Sequence, residues 1–262
     1  MENQAIIRMS AFLLIFLFMA MWESFSLKKV LGQPKWYRWL NNVGLVVLNS
    51  LLLPWTLPIL AIGAAQVVES QQLGLFNQWN MPPIASLILS VIILDMCIYW
   101  QHRIFHKVPV LWRLHRVHHA DQDIDVTTGF RFHFIEIWLS MLLKIAIIFV
   151  LGIPVMAVFI FEILLNGCAM FNHSNVNISN SIDVKLRKWI VTPDMHRVHH
   201  SIHREETDSN YGFCLSVWDR LFGSYVAQPK EGHQNLQIGI SLFRQPKEQS
   251  LWRMLSQPFR KN

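Results

Sequence analysis

Apolar and polar positions separate into long blocks along this chain. Five mostly apolar stretches, 5 to 25, 43 to 68, 82 to 100, 134 to 150 and 153 to 170, approach the roughly 20 residues a helix needs to cross a bilayer. Only Leu151, Gly152, Ile153 and Pro154 separate the last two, so these form a helical hairpin, and each is on the short side for a full span. Pro54 and Pro58 should kink the second span. The first has Arg8 near its start and ends in bulky Trp22, Glu23 and Phe25 where a cleavage site would need small residues, which makes it a retained anchor. Residues 171 to 262 are mixed polar and aromatic, with turn signals at Thr192-Pro193-Asp194 and Ser209-Asn210-Tyr211-Gly212. They read as a cap of short helices and loops. The predicted fold is therefore all-α: a membrane helical bundle of four to five spans with a cytosolic helical cap, forming a single domain over residues 1–262.

Composition agrees. With 52% hydrophobic and 15% charged residues and a mean hydropathy of +0.29, the chain is too apolar for an ordinary soluble domain. The segment between the first two spans carries Lys28, Lys29, Lys35 and Arg38, whereas Glu69 to Met81 carries no Lys or Arg. The first segment is therefore cytoplasmic. Alternation then places residues 101 to 133 and everything after about 171 on the same side. The net charge of +6 fits this rule and contact with anionic lipid, and no nucleic-acid module is present. Cys97, Cys168 and Cys214, at unrelated spacings, argue for reduced thiols and against a disulfide scaffold.

The chemistry lies in the histidines. Eight of twelve fall into three clusters just outside apolar stretches: His102/His106, His115/His118/His119 and His196/His199/His200. Asp95, Tyr99, His102 and His106, at offsets 0, 4, 7 and 11, fall within about 60° on a helix, so one face carries all four. An acid at that depth is costly, and Asp95 or Tyr99 is expected to accept or relay a hydrogen bond from a ligating imidazole. The two HRVHH runs put histidines at i, i+3 and i+4, converging on one side of a helix, with Thr192 as cap and Pro193 in the first turn of the second. One zinc takes three or four protein ligands, so eight imidazoles argue for two metals. Imidazole suits iron, zinc, copper or nickel alike. No HExxH occurs, since Arg103 follows His102, which counts against a zinc peptidase. His173, at the mouth of the fifth stretch, is a candidate ninth ligand. His133 and His203 are left open, His233 reads as a polar residue near the headgroups, and Glu162 and Lys144 are candidates to pair with each other.

Over roughly residues 85 to 225 the chain resembles the fatty acid hydroxylase and sterol desaturase superfamily, in its bacterial branch. The resemblance rests on Asp95-x-x-x-Tyr99-Trp100-x-His102-Arg103-x-x-His106, Leu111-Trp112-Arg113-x-His115-Arg116-x-His118-His119 and Thr192-Pro193-x-x-His196-Arg197-x-His199-His200. The tail Glu206-Thr207-Asp208-x-Asn210-Tyr211-Gly212, followed by Trp218-Asp219-Arg220-Leu221-Phe222-Gly223, is also similar to that branch. Membership implies a histidine-ligated pair of iron ions, replaceable by zinc in a purified protein. It also implies O2-dependent hydroxylation or desaturation of a lipid C–H bond. The clustered histidines match the family's boxes as ligands, and His173 resembles an extra upstream histidine. Many relatives have HPxE where this chain has His133-Phe134-Ile135-Glu136, which keeps the histidine and the acid without the proline. Glu136, Asp208 and Asn210 are expected around the ligands or the lipid headgroup. No GxGxxG fingerprint occurs, so electrons are expected from a ferredoxin, a rubredoxin, or a cytochrome with its reductase. The expected location is a bacterial inner membrane, with the metals on the cytoplasmic side. Two other classes fit the same residues: a membrane metal-binding protein without redox catalysis, and a metal-dependent lipid hydrolase. Substrate, position attacked and oligomeric state are not legible in the sequence.

Overall fold

In the computed structural model, which describes residues 2–261, the chain runs α1 (Glu2–Phe25), α2 (Lys35–Thr56), α3 (Ala61–Ser70), α4 (Leu75–Gln78) and α5 (Pro83–Lys107). It continues through α6 (Pro109–His119), a 3-10 turn (Val126–Phe130), α7 (Phe134–Leu151) and α8 (Val155–His173). The cap follows with α9 (Asn180–Leu186), α10 (Pro193–His199), α11 (Arg204–Thr207), α12 (Val217–Leu221), α13 (Gly232–Asn235) and α14 (Leu251–Ser256). The described residues contain isolated bridges and no strand.

Five segments are long and apolar enough to cross a membrane, which makes the chain an integral membrane protein. Their outer faces carry exposed Leu14, Leu51, Ile84 and Val150, side chains suited to lipid rather than water. The second apolar stretch is broken rather than kinked. Pro54 is tolerated inside α2, but α2 stops at Thr56, with Leu57 extended ahead of Pro58. A residue before proline is driven out of the helical region, and proline lacks the N–H that a continuing helix needs. The 10-residue α3, about 15 Å long, is too short to span. Its Ala61, Ala64, Ala65 and Val68 are small enough to pack tightly on α7 and α8, beside Ile148, Ala157 and Phe161. At the far end of the bundle, Gly74 lies against the turn of the α7–α8 hairpin, where a Cβ would meet the backbone nitrogen of Gly152 at 2.1 Å. Gly152 itself caps α7 with a φ of +78°.

The opposite end carries the cap. The segment after α1 is bonded to it: the Lys28 amide donates to Asn175 O at 2.8 Å, and the Asn177 amide donates to Ser26 O at 2.8 Å. The Lys28 ammonium meets Asp194 at 2.6 Å. The buried Glu23 carboxyl accepts from the amides of Val126 and Asn175, at 2.8 and 2.6 Å. The basic first loop and all the histidine clusters thus share one end of the bundle. Glu162 pairs with Arg8 of α1, and its charge also acts on Lys144, the partner expected from the sequence.

Candidate metal centre

Helix α5 is 25 residues, about 37 Å, and outruns a hydrocarbon core of roughly 30 Å. Its last two turns carry His102 and His106. Val108 then precedes Pro109, so α5 ends and α6 starts with proline in its first turn. On α10, Thr192 accepts from the Met195 amide at 3.3 Å, the predicted cap. Helices α5, α6, α8 and α10 bring nine histidines together in two groups, each with nitrogens within 4.8 Å of one another. His102, His106, His115, His119 and His199 form one, and His118, His173, His196 and His200 the other. The two HRVHH repeats cross over. His115 and His119, an i,i+4 pair, lie in the first group and their neighbour His118 in the second. His196 and His200 lie in the second and their neighbour His199 in the first. Successive helical residues point about 100° apart, so each His-His dipeptide serves both groups. The groups abut: the rings of His119 and His200 are stacked, 4.6 Å apart.

Hydrogen bonds fix which nitrogen faces inward. Nδ1 of His102 donates to Tyr211 O at 2.9 Å, Nδ1 of His199 to Ser209 O at 2.6 Å, and Nδ1 of His173 to Ala169 O at 2.6 Å. A carbonyl oxygen only accepts, so each Nδ1 carries the hydrogen and each Nε2 presents a lone pair. His115 Nδ1 lies 2.6 Å from Glu136 Oε1. The inward Nε2 atoms of His102, His115 and His199 are buried without a hydrogen-bond partner, as are both ring nitrogens of His106, His119 and His200. The Nε2 lone pair of His173 faces Nε2 of His118 at 3.0 Å and of His196 at 2.9 Å. Burial, reinforced by neighbouring imidazoles, holds His118, His119, His196 and His200 well below the usual histidine range. His199 is held there too, against the opposing bond to Ser209. Neutral imidazoles with inward lone pairs are what metal ions require. Imidazoles sharing one ion at 2.0–2.1 Å sit about 3–4 Å apart, close to the spread of these groups. The residues fit two ions.

The expected partners of the ligands divide. Glu136 reaches His115 because His133 caps α7, accepting from the Ile135 amide at 3.2 Å and placing the acid in the first turn. With Phe134 as the first residue of α7, His133 is a cap whose Nε2 lies 3.2 Å from Leu255 O. Among the described residues, Asp95 and Tyr99 hydrogen-bond no imidazole. Asp95 accepts from the amides of Cys214 and Leu215, both at 3.1 Å, and from Trp218 Nε1 at 2.8 Å. The Tyr99 hydroxyl meets Ser224 Oγ at 2.8 Å and accepts from Arg103 at 3.1 Å. Both hold the cap loop onto α5, and that loop supplies Tyr211 O to His102. Asp208 binds Lys107 at 2.9 Å and stands 3.6 Å from His106 Nδ1. Asn210, at a φ of +49°, ties Met195 O to Val226 through its side chain. His203 pairs with Glu231 at 3.2 Å, and His233 lies 3.8 Å from Asp194, both outside the two groups.

One supporting cluster is absent from the sequence reading. Arg38 is buried on α2, donating to both oxygens of Asp121 at 2.9 and 2.8 Å and to Asp125. Burial would raise the Asp121 carboxyl, but Arg38 and Arg131 hold it well below the usual range. The alternating acids Asp121, Asp123 and Asp125, directly after His119, were the visible signal. In the turn they start, Gly129 sits where a Cβ would meet Ala169 O at 2.9 Å and His173 Nδ1 at 3.3 Å. Glycine there lets the turn seat against α8 beside the His173 ring.

A family model described as fatty acid hydroxylase matches residues 87–224. The chain is 33% identical over 157 residues to alkylglycerol monooxygenase from Xenopus tropicalis, covering 59% of this chain and 34% of that protein. It is 29% identical over 162 residues to ornithine lipid hydroxylase OlsE from Rhizobium tropici, covering 62% and 47%. It is 29% identical over 154 residues to human lathosterol oxidase, covering 58% and 49%. The chain thus spans between a third and a half of the length of these relatives. No solved structure matches it significantly.

Proposed function

Because the chain belongs to the fatty acid hydroxylase family, we propose that it is a membrane oxygenase that hydroxylates or desaturates a lipid at an unactivated C–H bond. Hydroxylation consumes dioxygen, two electrons and two protons per C–OH formed, with one water released. The observation that carries this reading is the pair of abutting groups of buried imidazoles. His102, His106, His115, His119 and His199 would hold one iron ion, and His118, His173, His196 and His200 the other, with zinc as a substitute after purification. Bound iron supplies the redox capacity to activate dioxygen.

The chain's own residues do the rest. Glu136 and the carbonyls of Ala169, Ser209 and Tyr211 hold the imidazoles in one tautomer and orientation, which tunes ligand basicity. Ile98, Phe105, Phe132 and Phe213 wall a cavity beside His102, His115, His118, His173 and His196 with apolar surface. That wall excludes water and holds a substrate carbon close. Phe132 lies flat on His118, ring centroids 4.4 Å apart, which fixes both. The lipid would enter from the bilayer, with its head toward the cap. Electrons would come from a ferredoxin, a rubredoxin, or a cytochrome with its reductase. The basic first loop supports a cytoplasmic position for the cap, at a bacterial inner membrane.

The test is to compare lipid extracts of cells with and without the chain by mass spectrometry, under 18O2. The expected result is an oxygenated or desaturated lipid that depends on O2 and is lost in His118→Ala and His199→Ala. Product formed without oxygen would instead indicate a hydrolase, and activity surviving both substitutions would remove the reading.

A further inference from the structure

The cavity beside the histidines is small, about 50 Å³, and besides four apolar residues and five histidines its lining holds two polar side chains, Gln101 and Glu136. Each has one buried oxygen without a hydrogen-bond partner: Gln101 Oε1, and Glu136 Oε2, whose other oxygen meets His115. Gln101 interrupts an apolar stripe of α5, with Ile98 one turn before it and Phe105 one turn after. Leucine there would complete the wall. Glutamine puts a polar atom where a saturated chain would leave it unpaired, and such an atom is costly. A site with buried acceptors rejects ligands that lack the matching donor far more strongly than an apolar pocket rejects an extra group.

We propose that Gln101 and Glu136 make this cavity a recognition site for a hydrogen-bond donor on the lipid, a hydroxyl or an N–H, next to the carbon that reacts. The inference rests on the oxygenase reading and narrows it. Ligand pockets generally measure about 300–1,000 Å³, so 50 Å³ holds only a short segment of a lipid. The donor and the reacting carbon therefore lie within a few bonds of each other. The substrate class is a lipid oxidised beside its polar end rather than at the middle of a plain acyl chain.

The experiment is equilibrium binding to the full chain, zinc-loaded in nanodiscs, of three radiolabelled probes: 1-hexadecanol, hexadecyl methyl ether and hexadecane. Binding needs no turnover, so an inactive chain still answers, and failure of the oxygenase reading stays separate from failure of this one. The expected result is hexadecanol bound at least about tenfold more tightly than the ether or the alkane. In Gln101→Met and Gln101→Leu that preference should shrink several-fold while alkane binding holds or improves. Two apolar replacements guard against one that misfolds, and zinc content checks both. Equal binding of alcohol and ether by the unaltered chain would overturn the proposal. So would a preference that survives both substitutions.

Discussion

His118 and His199 hold the same place in their HRVHH repeats, and each lies in the group opposite to its own i,i+4 pair. Neither repeat therefore builds a group alone, and the two groups depend on α6 and α10 docking together. His118 belongs to the group of four, so His118→Ala leaves three ligands there. His199→Ala leaves four of five. We expect His118→Ala to bind about half the metal of the unaltered chain and His199→Ala to retain more, by elemental analysis. Equal and complete retention in both would contradict the assignment of ligands.

Glu136 and Asp95 are both buried acids beside the histidine helices, yet they do different work. Glu136→Ala should weaken metal binding about 10–100-fold, since His115 loses the acceptor that orients it, and Glu136→Gln should restore part of this through its amide oxygen. Competition with a chelator measures it.

Asp95→Ala leaves two backbone N–H groups and the Trp218 indole unpaired, at about 1–3 kcal/mol each. It should lower the melting temperature of the zinc-loaded protein while metal content at low temperature is kept. Loss of metal with an unchanged melting temperature would reverse this assignment.

Removing Arg38 takes the nearest cation from two buried carboxylates, Asp121 and Asp125. Arg38→Met should destabilise the fold by about 3–5 kcal/mol, seen as a lower denaturation midpoint and poor metal retention. Restoring neutrality with Asp121→Asn in the same chain should recover part of the loss.

The depressed histidines predict a pH dependence for the metal-stripped protein. In the folded chain His118, His119, His196, His199 and His200 resist protonation, whereas unfolded histidines protonate near 6.5. Below about pH 6.5 the unfolded state binds more protons, so stability present above that pH falls as pH drops toward the lowered folded values. Melting temperature should be flat above about pH 7 and decline below 6.5, and added zinc should move the decline to lower pH. A rise on acidification would contradict it.

The sequence carried the apolar stretches and the histidine spacings, because helical period and ligand spacing are local. Of the partners of those histidines it carried Glu136, beside His115, and Asp208, near His106, and not the others. Three of the four Nδ1 acceptors are backbone carbonyls, of Ala169, Ser209 and Tyr211, which every residue possesses and no side-chain pattern reveals. Asp95 shares a helical face with His102 but turns to the cap loop, since unpaired amides there need an acceptor more than an imidazole already bonded to Tyr211 does. Arg38 read as a basic loop residue because its acids lie 83 and 87 positions away. The break at Pro58 was legible as a disturbance, but its consequence, a short helix packed by alanines on the hairpin, depends on neighbours distant in sequence.

The most direct test of the central claim is the metal content of the full chain, purified without oxygen from iron-replete cells. Two iron ions per chain, falling when His118 is replaced, is the expected result. A chain that folds and binds no more than a trace of any transition metal would contradict it.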